Sequence, residues 1–85
     1  MNIIKQWHMY VVECADGTLY TGITTDLERR LNEHNHSKRG AKYTRSRRPV
    51  SYKMTIEYNT HSKAASAESK FKKLSRKQKL EIINE

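Results

Sequence analysis

The stretch from residue 9 to residue 34 constrains the fold of this chain more than any other. Residues 7–14 are rich in β-forming side chains and are apolar at both alternating sets of positions, which is typical of a central strand covered on both faces. The next three residues, 15–17, predict a tight turn, because Gly17 can adopt the positive φ that such turns need. Leu19–Thr24 then predicts the return strand of a hairpin.

The length of this turn decides whether two tyrosines share one face of the sheet. A two-residue turn would place Tyr10 and Tyr20 on opposite faces. A three-residue turn at 15–17, with Gly17 left-handed, pairs Val12 with Tyr20 and leaves Tyr10 diagonal to Tyr20 on the same face. We expect the three-residue turn, which brings both phenols into one site.

A short helix is predicted after the hairpin, with two polar residues on its inward stripe. Thr25 followed by Glu28 forms a capping-box pattern, and the helix is expected to run to about residue 35. Arg30 lies on the inward side, where a guanidinium either finds a partner or an anion or extends over the core to solvent. His34 is either part of a site or a helix-end histidine stabilised by the dipole.

The middle of the chain is strongly basic. No acidic residue occurs between residues 34 and 56, and the formal net charge of the 85 residues is +8. Residues 37–50 predict a long connection, which in a compact domain is usually functional or disordered. Basic residues with interleaved tyrosines indicate a polyanion such as nucleic acid, although a generic solvated surface is the alternative. The predicted nucleic-acid contacts are Lys38, Arg39, Lys42, Tyr43, Arg45, Arg47 and Arg48.

The last third of the chain predicts a third strand and two helices. Apolar residues alternate at 52, 54, 56 and 58, and Ser62 is placed to cap a helix over about 63–73. Glu68 falls inside the apolar stripe of that helix, so either a buried salt bridge to Arg30 or a metal-ligand role is open. Ser75 and Gln78 form a capping box for a final short helix.

Together these patterns predict an α+β fold with a three-stranded antiparallel β-sheet flanked by helices in the order ββαβαα. With 35% hydrophobic residues, residues 1–85 should form one small domain, with a frayed arm at 1–6 and a frayed C-terminal end. The single cysteine, Cys14, is expected to be a packed thiol in a reducing compartment. No signal peptide is visible and no apolar stretch nears the ~20 residues of a membrane span, so we expect a cytoplasmic protein without a membrane partner.

The side chains that remain for chemistry are phenols, cations and one acid. The sequence has no Cys/His metal spacing, no glycine-rich phosphate loop and no nucleophilic-serine motif. A divalent ion on one carboxylate, an arginine at the phosphate and a tyrosine at a water suit phosphodiester cleavage. The reference pKa of tyrosine, ~10, needs nearby cations to make it a useful base at neutral pH.

In this order and spacing the residues resemble the GIY-YIG nucleases over nearly the whole chain. Met9-Tyr10-Val11 stands at the first motif of that family and Tyr20-Thr21-Gly22 at the second. Residues 22–34 are similar to its helix with the catalytic arginine and a histidine four later, and residues 67–72 to its segment with the metal-binding glutamate. Residues 40–44, Gly-Ala-Lys-Tyr-Thr, resemble a motif of the small stand-alone prokaryotic branch.

The resemblance implies a metal-dependent DNA endonuclease of repair or processing, with one Mg2+ (or Mn2+). It places Tyr10 and Tyr20 at the nucleophilic water, Arg30 at the phosphate and Glu68 at the metal. His34 and Tyr43 would be supporting groups. The alternative is a non-catalytic nucleic-acid-binding module of the same fold. A basic protein-interaction domain is a third possibility, and it predicts little salt dependence of DNA binding. The form of the DNA is open, with branched or single-stranded DNA as one candidate, and a protein partner is open as well.

Overall fold

A computed structural model describes residues 6–85 of the chain. The predicted arm at 1–6 therefore lies, except for Gln6, outside the described residues. Within the described range, three strands and four helices follow one another in the order ββααβαα. In chain order they are β1 (Trp7–Glu13), β2 (Leu19–Thr24), α1 (Leu27–His36), α2 (Lys42–Arg45), β3 (Ser51–Tyr58), α3 (His61–Lys72) and α4 (Arg76–Ile83).

The sheet is antiparallel with β1 in the centre, in the order β2-β1-β3. This confirms the predicted α+β class and the predicted central strand. Val12 pairs with Tyr20, and Gly17 has a φ of 82°, so the hairpin has the expected three-residue turn. Tyr10 pairs with Gly22 and therefore lies diagonal to Tyr20 on the same face.

Each face of the sheet carries its own apolar cluster. On one face Tyr10, Val12, Cys14 and Val50 are buried, with side chains of α1 packed against them. On the other face Met9 and Val11 are buried against Phe71 of α3. The partly buried side chains packed there are Leu19, Ile23, Met54, Tyr58, Ala67, Leu74 and Ile83. Cys14 is a free, buried thiol, as predicted.

Two predicted helix starts are wrong by one or two residues. The N-cap of α1 is Asp26, whose carboxylate accepts from the backbone N–H of Arg29, and not Thr25. The N-cap of α3 is Thr60, not Ser62. In both places several residues able to cap stand next to each other, and local preference alone does not choose between them. The capping box of Ser75 and Gln78 at α4 is confirmed.

The predicted loop 37–50 contains the short helix α2. Its four residues are too few to show an apolar period, which is why the sequence pattern missed it. Thr44 of α2 is fully buried, while Tyr43 beside it is 39% exposed. Among residues 6–85 no helix is long and apolar enough to cross a membrane.

Candidate active site

Tyr10 is held at the middle of β1 with its ring lying across β2. Its side chain is buried, and the phenol passes directly over Gly22. A Cβ at residue 22 would lie 2.5 Å from the hydroxyl oxygen of Tyr10 and 2.7 Å from the ring carbon that bears it. The glycine of the Tyr20-Thr21-Gly22 motif is therefore the space in which the Tyr10 phenol lies.

A chain of four hydrogen bonds runs through the Tyr10 phenol. The Nε–H of Arg30 donates to the Tyr10 oxygen at 3.3 Å, and that oxygen is 2.7 Å from Nε2 of His34. Nδ1 of His34 is 3.0 Å from Oγ1 of Thr44, which donates to the carbonyl of Ala41 at 2.9 Å. The carbonyl of Ala41 only accepts, so Thr44 donates to it and must accept from Nδ1 of His34. Since the pKa of His34 is lowered, the ring is neutral and Nε2 is an acceptor. Tyr10 donates to Nε2, and Nδ1 carries the proton that Thr44 accepts.

His34 is a neutral imidazole at physiological pH. Its side chain is fully buried, and burial, with repulsion from Arg30 and Arg48, lowers its pKa to about 4. The helix-end role that the sequence left open for His34 is therefore wrong, because that role needs an imidazolium facing solvent. The ring instead lies between the two tyrosines, with centroids 5.6 Å from Tyr10 and 5.5 Å from Tyr20.

Tyr20 is the more accessible of the two phenols. It is half-buried, and its hydroxyl forms no hydrogen bond with residues 6–85. Its ring stacks on Tyr43 with a centroid separation of 5.9 Å and an interplanar angle of 20°.

The pKa of Tyr10 is raised above its ordinary value, because burial and the nearby Tyr20 and Glu68 outweigh the lowering effect of Arg30. The cation beside this phenol therefore does not make it more acidic than an ordinary tyrosine, contrary to the expectation from the sequence. Tyr10, Tyr20, Arg30 and His34 are brought together by direct contacts, while Glu68 contacts none of the four and acts on Tyr10 only through its charge.

Arg30 is half-buried and is positioned by several contacts. Its NH1 donates to the carboxylate of Glu33 at 3.1 Å and to the backbone carbonyl of Arg39 at 2.9 Å, in addition to the contact with Tyr10. The predicted alternative of a buried salt bridge between Arg30 and Glu68 is wrong. Glu33, three residues along α1, is the acid within reach of this guanidinium.

Glu68 pairs with Lys72, four residues later on α3, at 3.4 Å. The Glu68 side chain is 23% exposed and the Lys72 side chain 51%, so this ion pair lies at the protein surface. In the part of the chain that the structure describes, no three His, Cys, Asp or Glu residues cluster as a metal cage. One accessible carboxylate nevertheless fits Mg2+, which keeps several waters and binds through one or two carboxylates and substrate phosphates.

The predicted nucleic-acid residues fall into two groups. Lys38, Arg39, Lys42 and Arg45 are exposed, as is Tyr43. Arg47 and Arg48 are instead engaged within the fold. Arg47 covers the ring of Tyr43 at 4.0 Å and pairs with Asp16 at 3.0 Å, while Arg48 donates to the carbonyls of His34 and Ser37 at the end of α1.

Thr44 is the site residue that sequence reasoning missed. It lies in the segment Gly-Ala-Lys-Tyr-Thr, which was assigned to a family branch without a role for its last residue. A threonine is an ordinary helix or strand residue, so its identity alone carries no signal. Only its burial against Nδ1 shows that it selects the tautomer of His34.

The arrangement of two tyrosines, an arginine, a histidine and a late glutamate matches a known class of domain. A family model described as the GIY-YIG catalytic domain matches residues 6–81. The chain therefore belongs to the GIY-YIG family, as its motifs predicted, and this family indicates a nuclease-type function with nucleic acid as partner.

Within that family the chain is similar to proteins named UPF0213. It is 53% identical over 78 residues to UPF0213 protein SAG0778 of Streptococcus agalactiae, covering 92% of this chain and 88% of the relative. UPF0213 protein VNG_2274C of Halobacterium salinarum is 53% identical over 72 residues, covering 85% of this chain and 92% of the relative.

Two solution NMR structures share the fold. Protein EF2693 of E. faecalis is 49% identical, with a TM-score of 0.66 over 99% of this chain and 88% of that protein. The UPF0213 protein BH0048 of Bacillus halodurans is 39% identical, with a TM-score of 0.61 over 93% of this chain and 83% of that protein.

Proposed function

We propose that this protein is a cytoplasmic, metal-dependent endonuclease that hydrolyses phosphodiester bonds in DNA during repair or processing. The observation that supports it most is the directed hydrogen-bond chain from Arg30 through Tyr10 to His34. This chain gives one phenol both a cation beside its oxygen and a neutral base for its proton, which are the two features that make a phenol useful in proton transfer.

Tyr10 and His34 act together on the proton of the attacking water. The Tyr10 oxygen takes a proton from the water while its own proton passes to Nε2 of His34. The hydrogen bond from Nδ1 to Thr44 keeps Nε2 free to accept. Tyr20, whose hydroxyl has no partner in residues 6–85, orients the water from the exposed side of the site.

Arg30 binds the phosphate whose ester is cleaved. Its charge lowers the pKa of His34 in the resting protein, so pairing that charge with a phosphate makes His34 a better proton acceptor. Substrate binding and base activation are thus coupled through one guanidinium. Glu68 would hold the Mg2+ or Mn2+ ion, which when bound supplies Lewis-acid polarisation of the phosphate.

Cleavage of single-stranded, duplex and branched DNA in Mg2+ or Mn2+ tests this proposal. Unmodified protein is compared with Glu68→Gln, which keeps the shape of the side chain and removes its charge. Glu57→Gln makes the same charge change at an exposed position of the edge strand β3, where residue 57 pairs with His8. We expect metal-dependent cutting that Glu68→Gln abolishes and Glu57→Gln retains.

Tyr10→Phe adds a test of the proton path, because it keeps the ring and removes the hydroxyl. We expect it to lose turnover by ~100-fold or more while DNA binding stays close to that of the unmodified protein. Salt-sensitive DNA binding without cutting by any of these proteins would instead support the non-catalytic nucleic-acid-binding module.

A further inference from the structure

A second basic surface lies where α3 ends and α4 begins, outside the segment that the sequence assigned to nucleic acid. Six of the ten residues from 70 to 79 are lysine or arginine, and none is acidic. Four of them form what we call the basic corner, and all four are exposed: Lys72, Lys73, Arg76 and Lys77.

Most of the basic corner is not neutralised within the protein. Of the four basic-corner residues, only Lys72 forms a salt bridge with the described part of the chain, through its contact with Glu68. Lys73, Arg76 and Lys77 have no carboxylate within salt-bridge distance there. Clustered like charges repel one another, and a polyanion is the ligand that relieves this repulsion.

Two residues of the basic corner contact parts of the protein near the candidate active site: Lys72 contacts Glu68, and Arg76 contacts the hairpin turn. Lys72 lies on the same flank of α3 as Glu68, since the two residues are four apart. Arg76 donates from NH2 to the carbonyl of Gly17 in the hairpin turn at 3.1 Å. The neighbouring Asp16 of that turn holds Arg47 from the other basic segment. Both basic segments therefore meet at the hairpin turn.

We propose that the basic corner is a second phosphate-binding surface, which holds the nucleic-acid backbone beyond the bond that is cleaved. This inference rests on the proposed function for the identity of the polyanion. Lysine and arginine contacts of this kind position a nucleic acid without reading its sequence. A strand lying at Glu68 would pass Lys72 and continue over the end of α3 onto the first turn of α4.

The test compares two double variants that remove the same charge. Lys73→Gln with Lys77→Gln changes the basic corner and spares Lys72 and Arg76, which have contacts within the fold. Lys63→Gln with Lys70→Gln is the matched control, since both lysines line a groove beside Tyr58 on the other flank of α3. Fluorescence anisotropy of labelled DNA in EDTA gives the affinity as a function of salt, because no cleavage occurs without metal.

We expect the basic-corner variant to reduce the slope of log affinity against log salt by about 1.4 to 1.8, since each lost phosphate contact contributes about 0.7 to 0.9. The control should change the slope by less than half as much. If both double variants change the slope equally, or if the basic-corner variant does not change it, the proposal of a second phosphate-binding surface is wrong, while the proposed function is unaffected. Absence of DNA binding by the unmodified protein would overturn the nucleic-acid part of the proposed function as well. Urea midpoints of all three proteins establish that each is folded.

Discussion

Gly22 shows how a single residue without a side chain determines the position of a functional group. Tyr10 is 1% exposed, so its ring has nowhere to move if the space above residue 22 is filled. The backbone at Gly22 lies in regular strand β2, and its φ is not in the left-handed region. The glycine is therefore required by the close approach of the phenol and not by backbone conformation.

We predict that Gly22→Ala destabilises the protein by about 1–3 kcal/mol, because the new methyl group overlaps the Tyr10 ring in a packed interior. It should also shift the NMR resonance of the Nδ1 proton of His34, since Tyr10 donates to the same imidazole. Gly17→Ala is the control: it strains a left-handed residue with open space around it, and should leave that resonance in place. An unchanged His34 resonance in Gly22→Ala would contradict this account.

At the same scale, the sequence could predict which residues meet but not all of their partners. The spacing of Tyr10, Gly17 and Tyr20 indicated a three-residue turn, and a turn of that length places both phenols on one face of the sheet. The partner of Nδ1 could not be predicted, because Thr44 reaches His34 through the tertiary position of a four-residue helix. Likewise, Lys72 and Glu33 were not assigned as the ion-pair partners of Glu68 and Arg30, although both lie one helical turn away.

At the scale of elements, the guanidinium of Arg48 donates to the backbone carbonyl of His34 in the last turn of α1 and to that of the C-cap residue Ser37, which also accepts from the backbone N–H of Gly40. A cation at this position also complements the negative end of the helix. Half-buried Arg48 therefore holds the α1 terminus that carries His34, a role that basic composition alone could not distinguish from phosphate contact.

We predict that Arg48→Gln lowers the free energy of unfolding by about 1.5–3 kcal/mol, because hydrogen bonds from a charged group are lost. Arg45→Gln is the matched control, since Arg45 is exposed and its side chain forms no hydrogen bond within residues 6–85. That variant should change stability by less than ~0.5 kcal/mol and should weaken DNA binding. The reverse pattern in urea unfolding and anisotropy would show that Arg48, not Arg45, contacts the phosphates.

At the scale of the whole molecule, the sheet and its flanking helices were predictable because their patterns are long. The continuous apolar run along β1, the alternation along β3 and the periodicity of α1 set the layers, and the structure confirms that architecture. Helix starts and the short α2 were not predictable to the residue, since several capping residues compete and four residues show no period. The two basic segments are far apart in sequence, so their meeting at the hairpin turn required the structure.

His34 also makes the stability of the whole molecule depend on pH. Its pKa is about 4 in the folded protein, below the ordinary 6.5, because a buried imidazole beside two arginines resists protonation. As pH falls, the unfolded chain binds this proton first, so the free energy of unfolding decreases from about pH 6.5 to about pH 4. Between pH ~7 and pH ~5 this one group should remove about 2 kcal/mol of stability.

His34→Gln isolates this contribution, because glutamine can still accept from Tyr10 but does not titrate. The other three histidines are common to both proteins, so their contribution cancels in the comparison. We expect urea unfolding to show about 2 kcal/mol more loss in the unmodified protein than in His34→Gln over the same pH interval. An equal loss in both would mean that the fold does not lower the pKa of His34, and a smaller loss in the unmodified protein would mean that His34 is charged in the fold at neutral pH. In that second case Nε2 could not accept the proton of Tyr10, and the proton path of the proposed nuclease would fail with it.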